Sequence, residues 1–306
     1  MAVEAQRSPE VPAPRDALAT LLHVAGDYVE LLKPKIILLL VITELSAMVV
    51  AARGWPRPEV LIGALAGGAM AAGGAGAVNQ WFDRDIDQLM PRTRRRPIAA
   101  GRVSPVAGLT FGIAVGLLGV ALVALTTNLL AAALALAGGL VYVFVYTMWL
   151  KRSTAQNIVI GGAAGAFPPL VGWAAATGSL SPLAWVLFAI VFFWTPPHFW
   201  ALALLLSKQY SVAKIPMLPV VVGERRTRRS ILFYTVLLFA ISLVPLVWLG
   251  PIYAVAAIAL GGAFLALAGR ATRRRDGASA VVLFHYSLAY LALLFPAAAL
   301  ASVVRL

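Results

Sequence analysis

The chain has no cysteine, which excludes disulfides, thiolate metal sites and cysteine nucleophiles. Charge is scarce as well, since only 12% of its 306 residues are Asp, Glu, Lys or Arg, about half of what a soluble domain carries. Acidic residues number twelve against 25 Lys and Arg. None of the acids lies between Asp87 and Glu224, so chemistry in the middle of the chain must use bases, hydroxyls, amides and histidine. The first 30 residues lack the apolar core of a cleavable signal, and Glu4, Glu10, Asp16, Asp27 and Glu30 fit an organelle transit peptide poorly.

What remains is apolar: 61% hydrophobic residues and a mean hydropathy of +0.88. This composition predicts an all-α, polytopic membrane protein. Nine runs approach the roughly 20 residues that cross a bilayer as a helix: 36–53, 59–81, 104–125, 129–150, 155–176, 182–206, 230–249, 251–269 and 279–304. Residues 1–32 read as a disordered tail entering an interfacial turn or two, and 33–306 as one intramembrane domain. Lys33-Pro34-Lys35 marks the entry to the first span.

With the segment at Asn79 facing the cytoplasm, 22 of the 25 Lys and Arg fall on that side. Only Arg53, Arg57 and Arg305 fall on the other, which puts the amino terminus inside and the carboxyl terminus outside. The net charge of +13 then forms a membrane-facing collar that meets lipid. No soluble basic domain is present to bind nucleic acid.

Polar side chains gather in three cytoplasmic segments. In the first, Asn79, Asp83 and Asp87 recur every four residues, so on a helix they share one stripe, with Asp85 on the other side. Such spacing fits a solvated helix end as well as a metal stripe. Aligned oxygens beside Arg92, Arg94, Arg95 and Arg96 nevertheless suit Mg²⁺ carrying a diphosphate, because Mg²⁺ completes its shell with water and phosphate oxygens and arginine forks match phosphate in pairs.

The second segment, Tyr146 through Asn157 with Lys151 and Arg152, is by itself an ordinary basic anchor. The third runs from Ser207 to Pro219, and Tyr210 and Lys214, four apart, can share a helical face. Just before it, Pro196-Pro197 inside a span should bend or open the helix and widen a cavity at His198. His198 could ligate iron, orient a carboxylate or move a proton, although a lone histidine among aromatics is often structural. His285 is a weaker candidate for the same roles. Glycine pairs such as Gly67-Gly68 and Gly73-Gly74 lack the strand a nucleotide fold needs and fit close helix packing. A four-span half, repeated with divergence, would set the first and third segments opposite each other.

The run Asn79-xxx-Asp83-xxx-Asp87, followed by Pro91-Arg92-Thr93 and Arg96-Pro97, resembles the first aspartate-rich motif of the UbiA-type intramembrane prenyltransferases. Lys33-Pro34-Lys35, Tyr146 through Thr154, Gly165 through Trp173, Thr195-Pro-Pro-His198-Phe-Trp and Ile215-Pro-Met-Leu-Pro are similar to the heme O synthase (protoheme IX farnesyltransferase) branch of that superfamily. The resemblance implies nine helices around a central cavity and transfer of farnesyl from farnesyl diphosphate to a vinyl group of heme B. It implies Mg²⁺ on Asn79, Asp83 and Asp87, catalysis by Asp83, Asp87, Lys151 and Tyr146, and diphosphate on Arg92, Arg96, Lys151, Arg152, Lys208, Lys214 and Tyr210. Heme would meet His198 and His285, and a heme A synthase or terminal oxidase would be the protein partner.

Many members carry an acid just before the tyrosine of the third segment, where this chain has Gln209. An amide carbonyl supplies no charge, so the first motif would hold the metal nearly alone. A UbiA-type enzyme acting on a quinone precursor or another tetrapyrrole would share that motif but lack the Pro-Pro-His198 block. A transporter would need carboxylates in span centres, whereas the acids here are expected at span ends.

Overall fold

The computed structural model describes residues 14–304, with side chains from residue 18 onward. Among the described residues the regular structure is entirely helical: α1 (Pro14–Leu31), α2 (Pro34–Ala52), α3 (Pro58–Phe82), α4 (Arg84–Leu89), α5 (Pro105–Thr126) and α6 (Leu129–Ser153). There follow α7 (Asn157–Thr177), α8 (Pro182–Leu205), α9 (Ser207–Val212), α10 (Leu218–Leu243), α11 (Leu246–Arg274) and α12 (Gly277–Val303). Proline occupies the first turn of α2, α3, α5 and α8, where its missing N–H costs nothing and its fixed φ favours helix. Ser104, Asn128, Ser181 and Asp276 accept backbone N–H bonds as N-caps of α5, α6, α8 and α12.

Among the described residues, eight helices are long and apolar enough to cross a membrane. The ninth expected span, 230–249, falls on α10, whose first half carries Glu224, Arg225, Arg226, Arg228 and Arg229. Its apolar stretch ends at Leu243, because Val244-Pro245 turns the chain. Gly223 (φ 78°) and Gly250 (φ 68°) interrupt α10 and α11 with backbone that glycine adopts without penalty. The helix therefore restarts at Pro251, where the sequence places it.

Residues 1–13 of the expected tail lie outside the described residues. Beyond them the expected interfacial turns are an 18-residue helix, α1. Arg102 grips Asp27 and Glu30 at 2.7 Å each, so α1 is tied to the loop that follows the acidic segment.

The closest helix pair is α3 with α5. A Cβ placed on Gly74 would lie 2.5 Å from Gly112 O and Gly116 N, and one on Gly119 2.5 Å from Ala71 N and Gly67 O. The two backbones therefore touch along a seam of glycines, which is how membrane helices gain packing without a hydrophobic drive between them. This seam fixes α3, and the end of α3 carries the acids.

Neither proline pair opens its helix. Both α7, with Pro168-Pro169, and α8, with Pro196-Pro197, continue as helix through the rings, and Trp194 through His198 are all buried. Packing by neighbouring helices compensates for the lost backbone donors.

Candidate active site

Asn79 ends α3, Asp83 is the joint, and Asp87 lies in α4. The Asp83 N–H donates to Asn79 O at 2.9 Å and the Asp87 N–H to Asp83 O at 2.8 Å, so helical spacing survives the joint. All three side chains are buried (3%, 0% and 2% exposed). Asp85 is 60% exposed, on the other side as the spacing predicts.

Each acid has a basic partner. Lys151 donates to Asp83 Oδ2, and Arg96 donates to both Asp87 oxygens at 2.8 and 2.9 Å. Arg152 forks onto Asp85 at 2.7 and 2.8 Å and lies 3.7 Å from Asp83 Oδ1. The Arg152 hydrogen bond holds the Asp85 carboxyl below the usual carboxylate range. The second segment thus closes over the first, as more than a membrane anchor.

Three participants were not legible as site residues. Lys33, at the left-handed joint before α2 (φ 57°), donates to Asn79 Oδ1 at 2.7 Å and to Tyr142 OH at 3.2 Å. Burial first, then the charges of Arg96 and Lys151, push the Lys33 ammonium down to about 7. Thr147 Oγ1 accepts from Asn79 at 3.0 Å.

Tyr142, Thr147 and Lys151 meet the same cluster because α6 is π-helical over Val141–Leu150. The nine residues from Tyr142 to Lys151 would put these two on opposite sides of an α-helix at about 100° per residue; the wider π turn aligns them. Tyr146 stacks on Tyr142 with ring centroids 5.7 Å apart. Gly161 lies against Tyr146, since a Cβ there would be 2.3 Å from the ring.

The third segment does face the first. Tyr210 on α9 is buried with the charge of Arg92 nearby, and burial raises its phenol above the ordinary value. Lys214 does not share its face: α9 ends at Val212, and Lys214 is exposed in a left-handed conformation (φ 53°). Lys208 is exposed too.

His198 is buried between Trp194 and Phe284, at ring distances of 4.4 and 4.9 Å, and its Nδ1 meets Ser287 Oγ at 2.7 Å. His285 is exposed on α12, with Nδ1 on Val281 O of its own helix; its ring meets Phe284 edge-on at 5.2 Å, and Phe284 also stacks on His198.

Among the described residues no three His, Cys, Asp or Glu side chains converge on a metal position. Asn79, Asp83 and Asp87 offer two carboxylates and an amide along one helical stripe, a donor set that would leave most of a coordination shell to water and ligand, as Mg²⁺ prefers. Asp83 Oδ1 is buried without a hydrogen-bond partner, and so is Gln209 Oε1. Native proteins rarely leave such oxygens unsatisfied, so a cation or its water fits here.

One acid breaks the expectation that acids sit at span ends. Glu44, at the middle of α2, is 2% exposed, and its Oε1 lacks a partner. Its carboxyl fits only because Gly68 opposes it: a Cβ there would lie 2.6 Å from Oε2. The signal was an acid within an apolar run.

The UbiA prenyltransferase family model matches residues 40–300. Proteins named protoheme IX farnesyltransferase are similar across nearly the whole chain. That of Acidiphilium cryptum is 51% identical, over 89% of this chain and 89% of its own length. That of Gloeobacter violaceus is 50% identical, over 91% and 92%. Against that of Thermus thermophilus, 51% identical over 89% of this chain, the chain spans 45% of the relative's length. A solved UbiA homolog from Archaeoglobus fulgidus bound to GPP and Mg²⁺ superposes with a TM-score of 0.65 at 17% identity, covering 89% of this chain and 99% of that one. Likeness at that identity concerns the fold, while the family match and the half-identical relatives concern ancestry: the chain belongs to the UbiA prenyltransferase family.

Proposed function

We propose that this multi-pass membrane protein transfers the farnesyl group of farnesyl diphosphate to a vinyl group of heme B, giving heme O. The observation that carries the reading is half-identity with protoheme IX farnesyltransferases over nine-tenths of the chain, joined to a mouth in which two buried carboxylates and an amide face five bases. Asn79, Asp83 and Asp87 would hold Mg²⁺, which when bound neutralises the diphosphate as it departs. Lys33, Arg92, Arg96, Lys151 and Arg152 add hydrogen bonds and charge where the leaving group gains it. Tyr210 positions Arg92, and Tyr146, stacked on Tyr142, walls the place where the allylic carbon would lie.

The allylic C–O bond breaks with its electron pair on diphosphate. The vinyl π-electrons of heme then bond to the allylic carbon, and water adds to the resulting cation and loses a proton. The surrounding apolar helices keep water from the first cation. His198, packed between Trp194 and Phe284, supports the tetrapyrrole side. Gln209, whose Oε1 lacks a partner, supports a water of the metal shell. The basic collar orients the protein in a bacterial inner membrane with the amino terminus inside and the carboxyl terminus outside.

The purified protein in lipid, given heme B, farnesyl diphosphate and Mg²⁺, is expected to yield the mass of heme O, and chelator should abolish it. Prenylation of a quinone precursor with heme B untouched would sink the reading. Lys208 and Lys214, exposed beside Tyr210, draw the anionic substrate in from solution. Lys214→Ala should therefore lower kcat/KM roughly threefold at low ionic strength and hardly at all in high salt. A loss independent of salt would show a direct contact instead.

A further inference from the structure

A second cavity lies at the other end of the helices. It measures about 570 Å³, within the range of small-molecule sites. Its walls come from the end of α2, Trp173 of α7, Ser181 before α8, Trp248 and Gly250 of α11, and Ser302 of α12. Helix α2 starts beside Asn79 at Lys33 and runs 19 residues, so at 1.5 Å per residue this cavity is about 28 Å from the carboxylate mouth.

Arg53 is the charged residue of the lining. It closes α2 in a left-handed conformation (φ 52°) and makes no ion pair among the described residues. The remaining walls are mixed: Ser181 and Ser302 beside aliphatic side chains and two tryptophans, Trp173 buried and Trp248 half exposed. The positive φ at Gly250 swings the Leu246–Leu249 turn away from the helix restarting at Pro251, and this offset shapes one wall.

A cleft with tryptophan walls, serine hydroxyls and one unpaired arginine, at the ends of membrane spans, matches a lipid whose phosphate and glycerol meet the polar side while its chains lie along the helices. A tetrapyrrole carboxylate shares the anionic chemistry, but here it would sit a membrane thickness from the prenyl diphosphate. We propose that this cavity binds an anionic phospholipid of the leaflet opposite the active site, with Arg53 on the phosphate. The proposal is independent of the prenyl acceptor.

Native mass spectrometry of the full chain in micelles doped equally with phosphatidylglycerol and phosphatidylcholine tests it. The wild type should retain one phosphatidylglycerol with about tenfold preference, because the choline cation of phosphatidylcholine neutralises its own phosphate and competes with the Arg53 guanidinium for it. Arg53→Gln should lose that preference while heme O formation in detergent stays unchanged. A second readout guards against a misfolded variant: phosphatidylglycerol should raise the Tm of the wild type more than phosphatidylcholine does, and Arg53→Gln should show no such difference. Equal retention of the two lipids by the wild type, undiminished preference in Arg53→Gln, or displacement of the lipid by stoichiometric heme B would each overturn the assignment.

Discussion

Asp83→Asn is expected to lower heme O formation on the order of 10³-fold or more, the scale seen when a preorganised charge at a leaving group is lost. Three observations put the largest effect at this residue. Asp83 is the most buried of the trio, its Oδ2 receives both Asn79 and Lys151, and its Oδ1 is the mouth's buried carboxylate oxygen without a hydrogen-bond partner. The substitution keeps the shape and one carbonyl acceptor, so Lys151 retains a neighbour and the helices need not move. It removes the charge that a divalent cation would neutralise. The variant should therefore unfold thermally near the wild type, while product formation, followed by mass against time, falls at every Mg²⁺ concentration. Wild-type turnover in this variant would remove the carboxylate-held metal from the mechanism.

Gly119→Ala should be among the most damaging single-methyl changes at the described glycines. The added Cβ would meet Ala71 N and Gly67 O at 2.5 Å, and these are backbone atoms that no rotamer change can move. Helix α5 must retreat from α3, which forfeits contacts along the whole seam. The cost should reach the upper end of the range for overpacking, about 3 kcal/mol. Gly262→Ala is the matched control, because a Cβ there meets nothing within 4 Å. It should be neutral or slightly stabilising, since alanine favours helix by up to about 1 kcal/mol over glycine. Denaturant titration of the two variants in one detergent compares them directly. Equal stabilities would show that the seam has slack. Activity should fall with stability in Gly119→Ala alone, because displacing α3 displaces Asn79.

The membrane character, most span positions and the acidic stripe were legible because each is written in local spacing: apolar run length, proline at helix starts, and a step of four between Asn79, Asp83 and Asp87. The opposition of first and third segments, expected from the crude internal repeat, corresponds to the nearness of Tyr210 to Arg92 and Arg96. What stayed hidden depends on backbone that departs from the ideal. The π-helical stretch aligns Tyr142 with Lys151, which no 3.6-residue period can reveal. The left-handed joint at Lys33 turns an apparent membrane anchor into a partner of Asn79. Early termination of α9 at Val212 separates Lys214 from Tyr210, and Pro196-Pro197, expected to bend or open its helix, is held within it by close neighbours. Glu44 was missed for another reason: its partner is the absence of a side chain at Gly68, and an absence leaves no mark in a pattern of residue types.

The pairing of Asp83 with Lys151 and of Asp87 with Arg96 has a thermodynamic consequence. A divalent cation arriving alone would have to take the carboxylates from these bases and leave buried cations without counter-ions. A diphosphate arriving alone would take the bases and strand the carboxylates. Arriving together they would exchange partners, acid to metal and base to phosphate, and no charge would be abandoned. On the proposed reading each ligand would raise the affinity for the other by the same factor, and the protein would resist holding metal as a resident ion between turnovers. The mouth would then be a lock that needs both keys turned at once, and the departing diphosphate would carry one of them away.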